Sequence, residues 1–406
     1  HAPRMLSSPK LDDVLLTSES ITSIREGSAF LQIATLAIVA TALARRKSYV
    51  QVISSLRRDE LIVAYLTFAV LSILYTMEPW LTVRRLTLFF AVVMMGAVIA
   101  TDSEDRGTTS LLSTLERFGF IYVVVAAIAV LRDALLGFSF ITEPWSVYGS
   151  SHRDGEVFAI TLILGIGRLL GNPYSGNRSA RELLWISALF VLLVLTGSRT
   201  SILGVGFAVL LMNIRKDRIS KTILVMGLFL TLGLLAYAAL PATVVQAVVR
   251  PETIETLTGR SFLWIYLVSL EGIDPIFGTG FGAFWTSDRI ADVEATLGWA
   301  APVSHNGFLD VFLNSGILGL GFHAILLAAA WRRIDSVEPE LKKTLIGVLA
   351  FVVAQNLTQG SFQNPRMFVE VVFWWILVSL SVARFRKLAP SQPSVLARRN
   401  DDISHY

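Results

Sequence analysis

The chain has 406 residues, 53% of them hydrophobic and only 16% charged, with a mean hydropathy of +0.61, and no soluble core could enclose that much apolar surface. A formal charge of +4 and a pI near 9.4 would suggest nucleic acid in a soluble chain, but here the basic residues lie between apolar segments, so membrane topology accounts for them and nucleic acid is excluded as a partner. The absence of Cys rules out disulfides, thiolate nucleophiles and cysteine-ligated metals.

Taken in chain order, apolar stretches able or nearly able to cross a bilayer fall at about 27 to 43, 61 to 77, 86 to 101, 119 to 138, 156 to 171, 183 to 197, 200 to 213, 222 to 240, 306 to 331, 344 to 363 and 367 to 384. The predicted fold is all-α, a polytopic bundle of about 11–12 membrane helices with a large external loop containing short helices. Gly197-Ser198-Arg199-Thr200 interrupts an apolar run with turn residues and a charge, which predicts a tight reversal. Placing the C-terminal tail inside collects 22 Lys and Arg on that side, among them Arg332, Arg333, Lys342 and Lys343, against 11 on the other. The expected division is therefore helices in 1–240, an external loop over 241–304, helices in 305–384 and a cytoplasmic tail over 385–406. An odd helix count with the tail inside leaves the N-terminus outside, and with no signal peptide evident the expectation is either a further helix upstream of His1 or one apolar segment miscounted.

Four separated features fall on the outer side of this topology. They are His152-Arg153, Arg199 in the reversal, Arg260 in Thr258-Gly259-Arg260-Ser261, and His305 in Ser304-His305-Asn306. An imidazole where apolar sequence meets water suits proton transfer. Arginine beside lipid is costly unless it snorkels or meets an anion, and its planar fork of donors fits phosphate oxygens, so a diphosphate-bearing lipid matches this set. The plainer alternatives are a snorkelling Arg199 at a helix end, and an interfacial His305 beside a capping Ser304. His323, mid-helix among apolar residues, reads as a packed, hydrogen-bonded histidine, and Asp310 as a structural polar contact.

Residues 261–272 predict an amphipathic or partly buried helix in the external loop, and Phe277 to Trp285 supplies glycine turns with aromatic faces suited to stacking on sugar rings. The run from His305 reads H-N-x9-G-x-x-G, whose Gly316 and Gly319 predict close approach of a neighbouring helix. Asn306, Asp310 and Asn314 repeat every four residues, as do Gln355, Gln359 and Gln363 on the next apolar segment. Polar stripes inside apolar helices face a bundle interior or a wet cavity, which predicts a hydrated cleft lined by both.

H-N-x9-G-x-x-G, the Ser198-Arg199-Thr200 turn, and Gly259-Arg260 with Trp264 and the Pro275-to-Trp285 segment together resemble the O-antigen ligase and polysaccharide polymerase superfamily, the Wzy and WaaL type of membrane glycosyltransferase, over roughly residues 145 to 330. The resemblance implies a bacterial inner-membrane enzyme with its active site facing the periplasm. Its donor would be a glycan on undecaprenyl diphosphate, its acceptor a saccharide, its further partners membrane lipids and a chain-length regulator. It also implies inversion at the anomeric carbon without metal or cofactor, and the sequence has neither an external D-x-D nor a histidine cluster with ligand spacing. Residue by residue, His305 corresponds to the family's general base and Arg199 and Arg260 to the arginines that hold the diphosphate. Arg153 sits where relatives carry a basic residue followed by Asn, and the Asp154 that follows it here departs from that pattern.

The Phe277-to-Trp285 segment looks most like the exopolysaccharide polymerase branch, which makes polymerisation of lipid-linked repeats the leading expectation. Transfer of finished glycan to a lipid A core is the alternative within the family. Outside it stand a transporter or flippase of lipid-linked sugars, for which the sequence lacks a repeat or paired broken helices, and a noncatalytic scaffold.

Overall fold

The computed structural model describes residues 53–54, 56–101, 107–136, 146–147, 151–171, 176–213, 260–298 and 301–388. The expected helices at 27 to 43 and 222 to 240, the N-terminal stretch, Gly259 and the C-terminal tail lie outside these residues. Apolar runs become helices because a backbone without access to water must pair its own N–H and C=O groups. In order they are α1 (Glu60–Leu71, continued by a 3-10 turn, Ser72–Leu74), α2 (Pro79–Thr101), α3 (Gly107–Leu135), α4 (Ser151–Gly171), α5 (Gly176–Leu195), α6 (Arg199–Asn213), α7 (Arg260–Ser269), α8 (Ser287–Leu297), α9 (Gly307–Ile334), α10 (Pro339–Thr358) and α11 (Phe368–Leu388). No strand occurs among the described residues. Five of the helices are long and apolar enough to cross a membrane, and the protein is a multi-pass membrane protein of all-α fold.

The helices at the middle of the bundle are α10, against α4 and α6, and α11, against α2 and α3. Small residues set these distances: a Cβ on Gly167 would lie 2.1 Å from Thr344 Oγ1, and one on Gly347 2.5 Å from Met212 Sδ. An aromatic cluster of Tyr65, Phe89, Phe281, Phe373 and Trp374 fills the centre, each no more than 1% exposed. His323 is buried as expected, its Nδ1 3.0 Å from the Gly319 carbonyl and its ring edge-on to Tyr65. Arg333, counted above with the cytoplasmic charges, is buried and makes a bidentate pair with Asp59 at 2.5 and 3.1 Å. The predicted reversal at Gly197 is present, with φ 64° between α5 and α6.

The largest departure from expectation is in α9. Gly316, at φ 61° and ψ −162°, breaks the helix, a conformation only glycine holds comfortably. What approaches there is a loop rather than a helix, because the segment from Pro275 to Gly280 enters the break. Ile317 N–H donates to Pro275 O (2.9 Å) and Leu318 N–H to Ile276 O (3.3 Å), while Thr279 N–H reaches Leu313 O (3.1 Å) and Gly280 N–H reaches Asn314 O (2.9 Å). The backbone groups freed by the break are thus repaired by the loop, the condition for irregular backbone inside an apolar bundle.

Candidate functional site

His305 sits in a short turn before α9 with φ 55°, a left-handed conformation that a residue with a Cβ adopts at a cost. The surroundings over-determine it. Ser304 donates its hydroxyl to Asn306 O (2.6 Å) and its N–H to Asp310 Oδ1 (3.1 Å), and Trp264 Nε1 donates to Ser304 O (2.8 Å). The helix cap is Asn306 rather than the Ser304 of the plainer alternative, since Asn306 Oδ1 accepts from the N–H groups of Phe308 and Leu309 at 3.0 and 3.1 Å. Gly307 lets this turn press on α10, where a Cβ would meet Asn356 Oδ1 at 1.9 Å.

Helix α7 carries Arg260 and Trp264 one turn apart on one face, and both clamp the site. Arg260 Nη1 donates to Thr358 O (2.6 Å) at the C-terminal end of α10, where the helix dipole is negative. The next residue, Gln359, lies 3.2 Å from His305 Nδ1 through its Oε1. Because an amide oxygen only accepts, Nδ1 carries the proton, and the base function of the ring falls to Nε2. Burial pushes the His305 imidazole down to about 4; the Gln359 hydrogen bond opposes this, while the charges of Arg260 and His152 add to it. The neutral, proton-accepting form is therefore present at physiological pH.

The structure brings His152, Arg260 and His305 within electrostatic reach of one another. Arg199 is the first residue of α6, directly after Ser198, which packs on Gly155 so closely that a Cβ there would lie 2.6 Å from Ser198 Cβ. The arginine turn is thereby placed beside the first turn of α4, which carries His152 and Arg153. Arg153 itself is exposed and faces Glu156 and Arg366 rather than His305.

Two expectations are corrected here. The polar stripes line no hydrated cleft, since Asp310, Asn314, Gln355, Gln359 and Gln363 are all at most 4% exposed. They pair inside the protein: Asp310 accepts from Trp285 Nε1 (2.9 Å), Asn314 from Phe284 N–H (3.0 Å), and Gln363 Nε2 donates to Ser315 Oγ (2.8 Å). Helix α10 also stops at Thr358, so Gln359 and Gln363 lie on an inter-helix loop and share no helical face. The aromatic platform is likewise mostly internal. Phe281, Phe284 and Trp285 are 1%, 1% and 6% exposed, leaving Phe277, at 42%, as the ring presented to solvent, beside Tyr75. Phe284 and Trp285 join Leu263, Leu267, Val293, Ala301 and Leu313 in a small core that fixes α7 and α8 to α9. Among the described residues no three His, Cys, Asp or Glu side chains gather in a metal-ligating group.

The site so defined is a meeting of His305, Arg260 and Gln359 at helix ends of a multi-pass membrane bundle, beside the pair of short helices α7 and α8. Residues 182–324 match the family model described as O-Antigen ligase, and α7 and His305 lie inside the matched stretch. An O-antigen ligase of Pseudomonas aeruginosa is 27% identical over 219 residues, covering 52% of this chain and 49% of that protein. The exopolysaccharide production protein ExoQ of Rhizobium meliloti is 25% identical over 146 residues, a third (33%) of each chain. The chain thus spans about half the length of the first relative and a third of the second.

Proposed function

We propose that this protein is a membrane glycosyltransferase that polymerises undecaprenyl-diphosphate-linked oligosaccharide repeats into exopolysaccharide or O-antigen at the periplasmic face of the bacterial inner membrane, with inversion and without metal. The observation that carries the reading is the His305 turn, with its Nδ1 proton directed at Gln359 and Arg260 beside it. An acceptor hydroxyl attacks the anomeric carbon of the donor on the face opposite the diphosphate. As the new C–O bond forms, Nε2 of His305 takes the hydroxyl proton, a step worth about two to four orders of magnitude in rate. The bond from the anomeric carbon to the diphosphate oxygen breaks, and the leaving group departs with both electrons as lipid diphosphate. Arg260, with Arg199 at the neighbouring turn, holds that developing charge in the place a metal would otherwise take, and Arg153, which faces Arg366 rather than His305, stands outside this group.

Arg260 spends one donor on Thr358 O, and the rest of its guanidinium fork serves the ligand. Trp264 and Gln359 are positioning residues that act through Ser304 and the imidazole. The second reading, transfer of finished glycan to a lipid A core, is favoured by the Pseudomonas relative, whose name is O-antigen ligase and whose match covers more of this chain.

The test is turnover of a defined lipid-linked repeat by purified protein in EDTA, comparing wild type with His305→Ala and Arg199→Ala. Polymer forms without lipid A core and is lost in both variants. A product that appears only with the core acceptor makes the protein a ligase, and a strict requirement for a divalent cation refutes the chemistry. Repeats that cease to reach the outer leaflet in His305→Ala would point to flipping instead.

A further inference from the structure

At the end of the bundle away from His305, α3 and α5 both pack on α4 and enclose a cleft of about 1090 Å³. Gly119 lets α3 close on the floor of this cleft, where a Cβ would lie 2.3 Å from Thr161 Oγ1 of α4. Arg168, which lines it, follows His152 by sixteen residues of α4, about 24 Å of helix, so the cleft opens near the other membrane surface, the one the charge bias puts inside.

Its walls are apolar. Phe120 and Ile121 of α3 and Leu184 of α5 are 56%, 63% and 71% exposed, and Trp185 of α5 meets Phe120 with ring centroids 5.8 Å apart. The rim is charged, because Glu116, Arg117, Arg168, Arg181 and Glu182 all stand where charged sequence gives way to the apolar stretches. Arg168 is spent on the two carboxylates, its Nη1 2.8 Å from Glu116 Oε2 and its Nε 3.5 Å from Glu182 Oε1, and so ties the three helices together. Arg117 and Arg181 are exposed and make no ion pair among the described residues. Glu182 Oε2 is buried and accepts no hydrogen bond. Three arginines against two glutamates leave the rim one net positive charge.

These features select one kind of ligand. A phosphodiester matches the two guanidinium groups and cancels the net charge, a hydroxyl donor satisfies the Glu182 oxygen, and acyl chains cover the apolar walls. We propose that the cleft binds a phospholipid with a hydroxyl-bearing anionic head group, of the phosphatidylglycerol type, with its phosphate on Arg117 and Arg181, a head-group hydroxyl on Glu182 and its chains along Phe120, Ile121, Leu184 and Trp185. Phosphatidylcholine fits less well, since its quaternary ammonium cannot donate and removes the net negative charge. Bound there, the lipid joins α3 to α5 over Arg168, at a place that the transfer chemistry does not use.

The experiment uses the full chain in detergent, stripped of co-purifying lipid and followed by native mass spectrometry and thermal unfolding as single lipids are added. Wild type takes up one phosphatidylglycerol with an apparent Kd about tenfold or more below that for phosphatidylcholine, and its unfolding midpoint rises with the former. Phosphatidylmethanol, which keeps the charge and lacks the hydroxyl, binds between the two. Arg117→Ala/Arg181→Ala, at exposed positions, keeps the lipid-free midpoint and loses the preference for phosphatidylglycerol. Phosphatidylglycerol with brominated chains quenches tryptophan fluorescence in wild type and measurably less in Trp185→Phe. Equal affinity of wild type for phosphatidylglycerol and phosphatidylcholine overturns the site. So does a preference that survives the double arginine variant, or quenching unchanged in Trp185→Phe. Phosphatidylmethanol bound as tightly as phosphatidylglycerol removes the Glu182 contact and with it the proposed head group. A wild type that takes up no lipid because it dimerises makes the cleft an interface between two copies and overturns it too.

Discussion

The depressed basicity of His305 makes the pH dependence of turnover a sharp test. In the free protein the imidazole stays neutral down to about pH 4, first because it is buried and then because Arg260 and His152 disfavour a further positive charge. Below that value the ring is protonated and cannot accept the acceptor's proton. Since kcat/KM reports the free enzyme, its profile holds level from about pH 8 to about pH 5 and falls as pH drops through about 4. The profile of kcat reports the complex, in which a lipid diphosphate beside Arg260 adds negative charge near the ring. One net charge at ~8 Å in an effective dielectric of ~20 contributes about 2 kcal/mol, which raises the pKa by about 1.5. The acid limb of kcat therefore lies above that of kcat/KM by roughly that margin per net charge. Elongation measured under single-turnover conditions across this range gives both limbs. A kcat/KM limb near the ordinary histidine value of about 6.5 refutes the effect of burial. Coincident limbs refute the placement of the diphosphate beside His305.

Replacing Gln359 by Glu puts a carboxylate on Nδ1 and moves the kcat/KM limb toward neutrality, whereas Gln359→Leu leaves the Nδ1 proton without its acceptor and lowers kcat about tenfold with KM little changed. Arg260→Ala lowers kcat by about two to three orders of magnitude in donor turnover, and Arg260→Lys restores little of it because a point charge cannot serve both Thr358 O and the ligand. Gly316→Ala forces a Cβ to 2.1 Å from Ile276 O at a backbone conformation reserved for glycine, and destabilises the protein by on the order of 3 kcal/mol, read as a lowered unfolding midpoint in detergent. Arg333→Met strands the Asp59 charge and costs about 3–5 kcal/mol, most of which Asp59→Leu/Arg333→Met recovers; a double variant no more stable than the single one would deny that the pair is electrostatic.

The helices were legible in the sequence because length and apolarity alone define a membrane span, and the α5–α6 reversal because glycine and a charge interrupt the apolar run. Hydropathy misjudged what glycine and glutamine do inside such runs. A Gly in an apolar helix is ordinarily a packing position, and Gly316 became a break only because a loop some forty residues upstream could pair the freed backbone groups, a non-local fact no window contains. For the same reason Gln359 and Gln363 read as one stripe with Gln355, although the backbone turns extended at Gln359, with φ −139° and ψ 145°. At the site, the residues with distinctive chemistry were findable: His305 and Arg260 lie together. Gln359 and Trp285 were singled out as a cleft-lining stripe and a sugar-stacking face, whereas both are buried supports of the His305 turn.

The burial of the polar stripes changes what they are for. Groups lining a wet cleft could rearrange as substrate enters, but Asp310 and Asn314 are committed to Trp285 and Phe284 of the loop at 2.9 and 3.0 Å and Gln363 to Ser315 beside the α9 break at 2.8 Å, so the first two brace the loop and the third braces α9. Asp310 joins the two halves of the device, accepting from Trp285 in the loop and from Ser304 next to His305. The left-handed backbone of His305 is then stable because its neighbours on both sides are fixed, Ser304 by Asp310 and Trp264, Asn306 by capping α9. Strain held this way fixes the direction of the imidazole, so that little reorganisation would be left for the proposed transfer step. Loss of the Trp285 indole would accordingly loosen the aim of His305 from a position that touches neither donor nor acceptor.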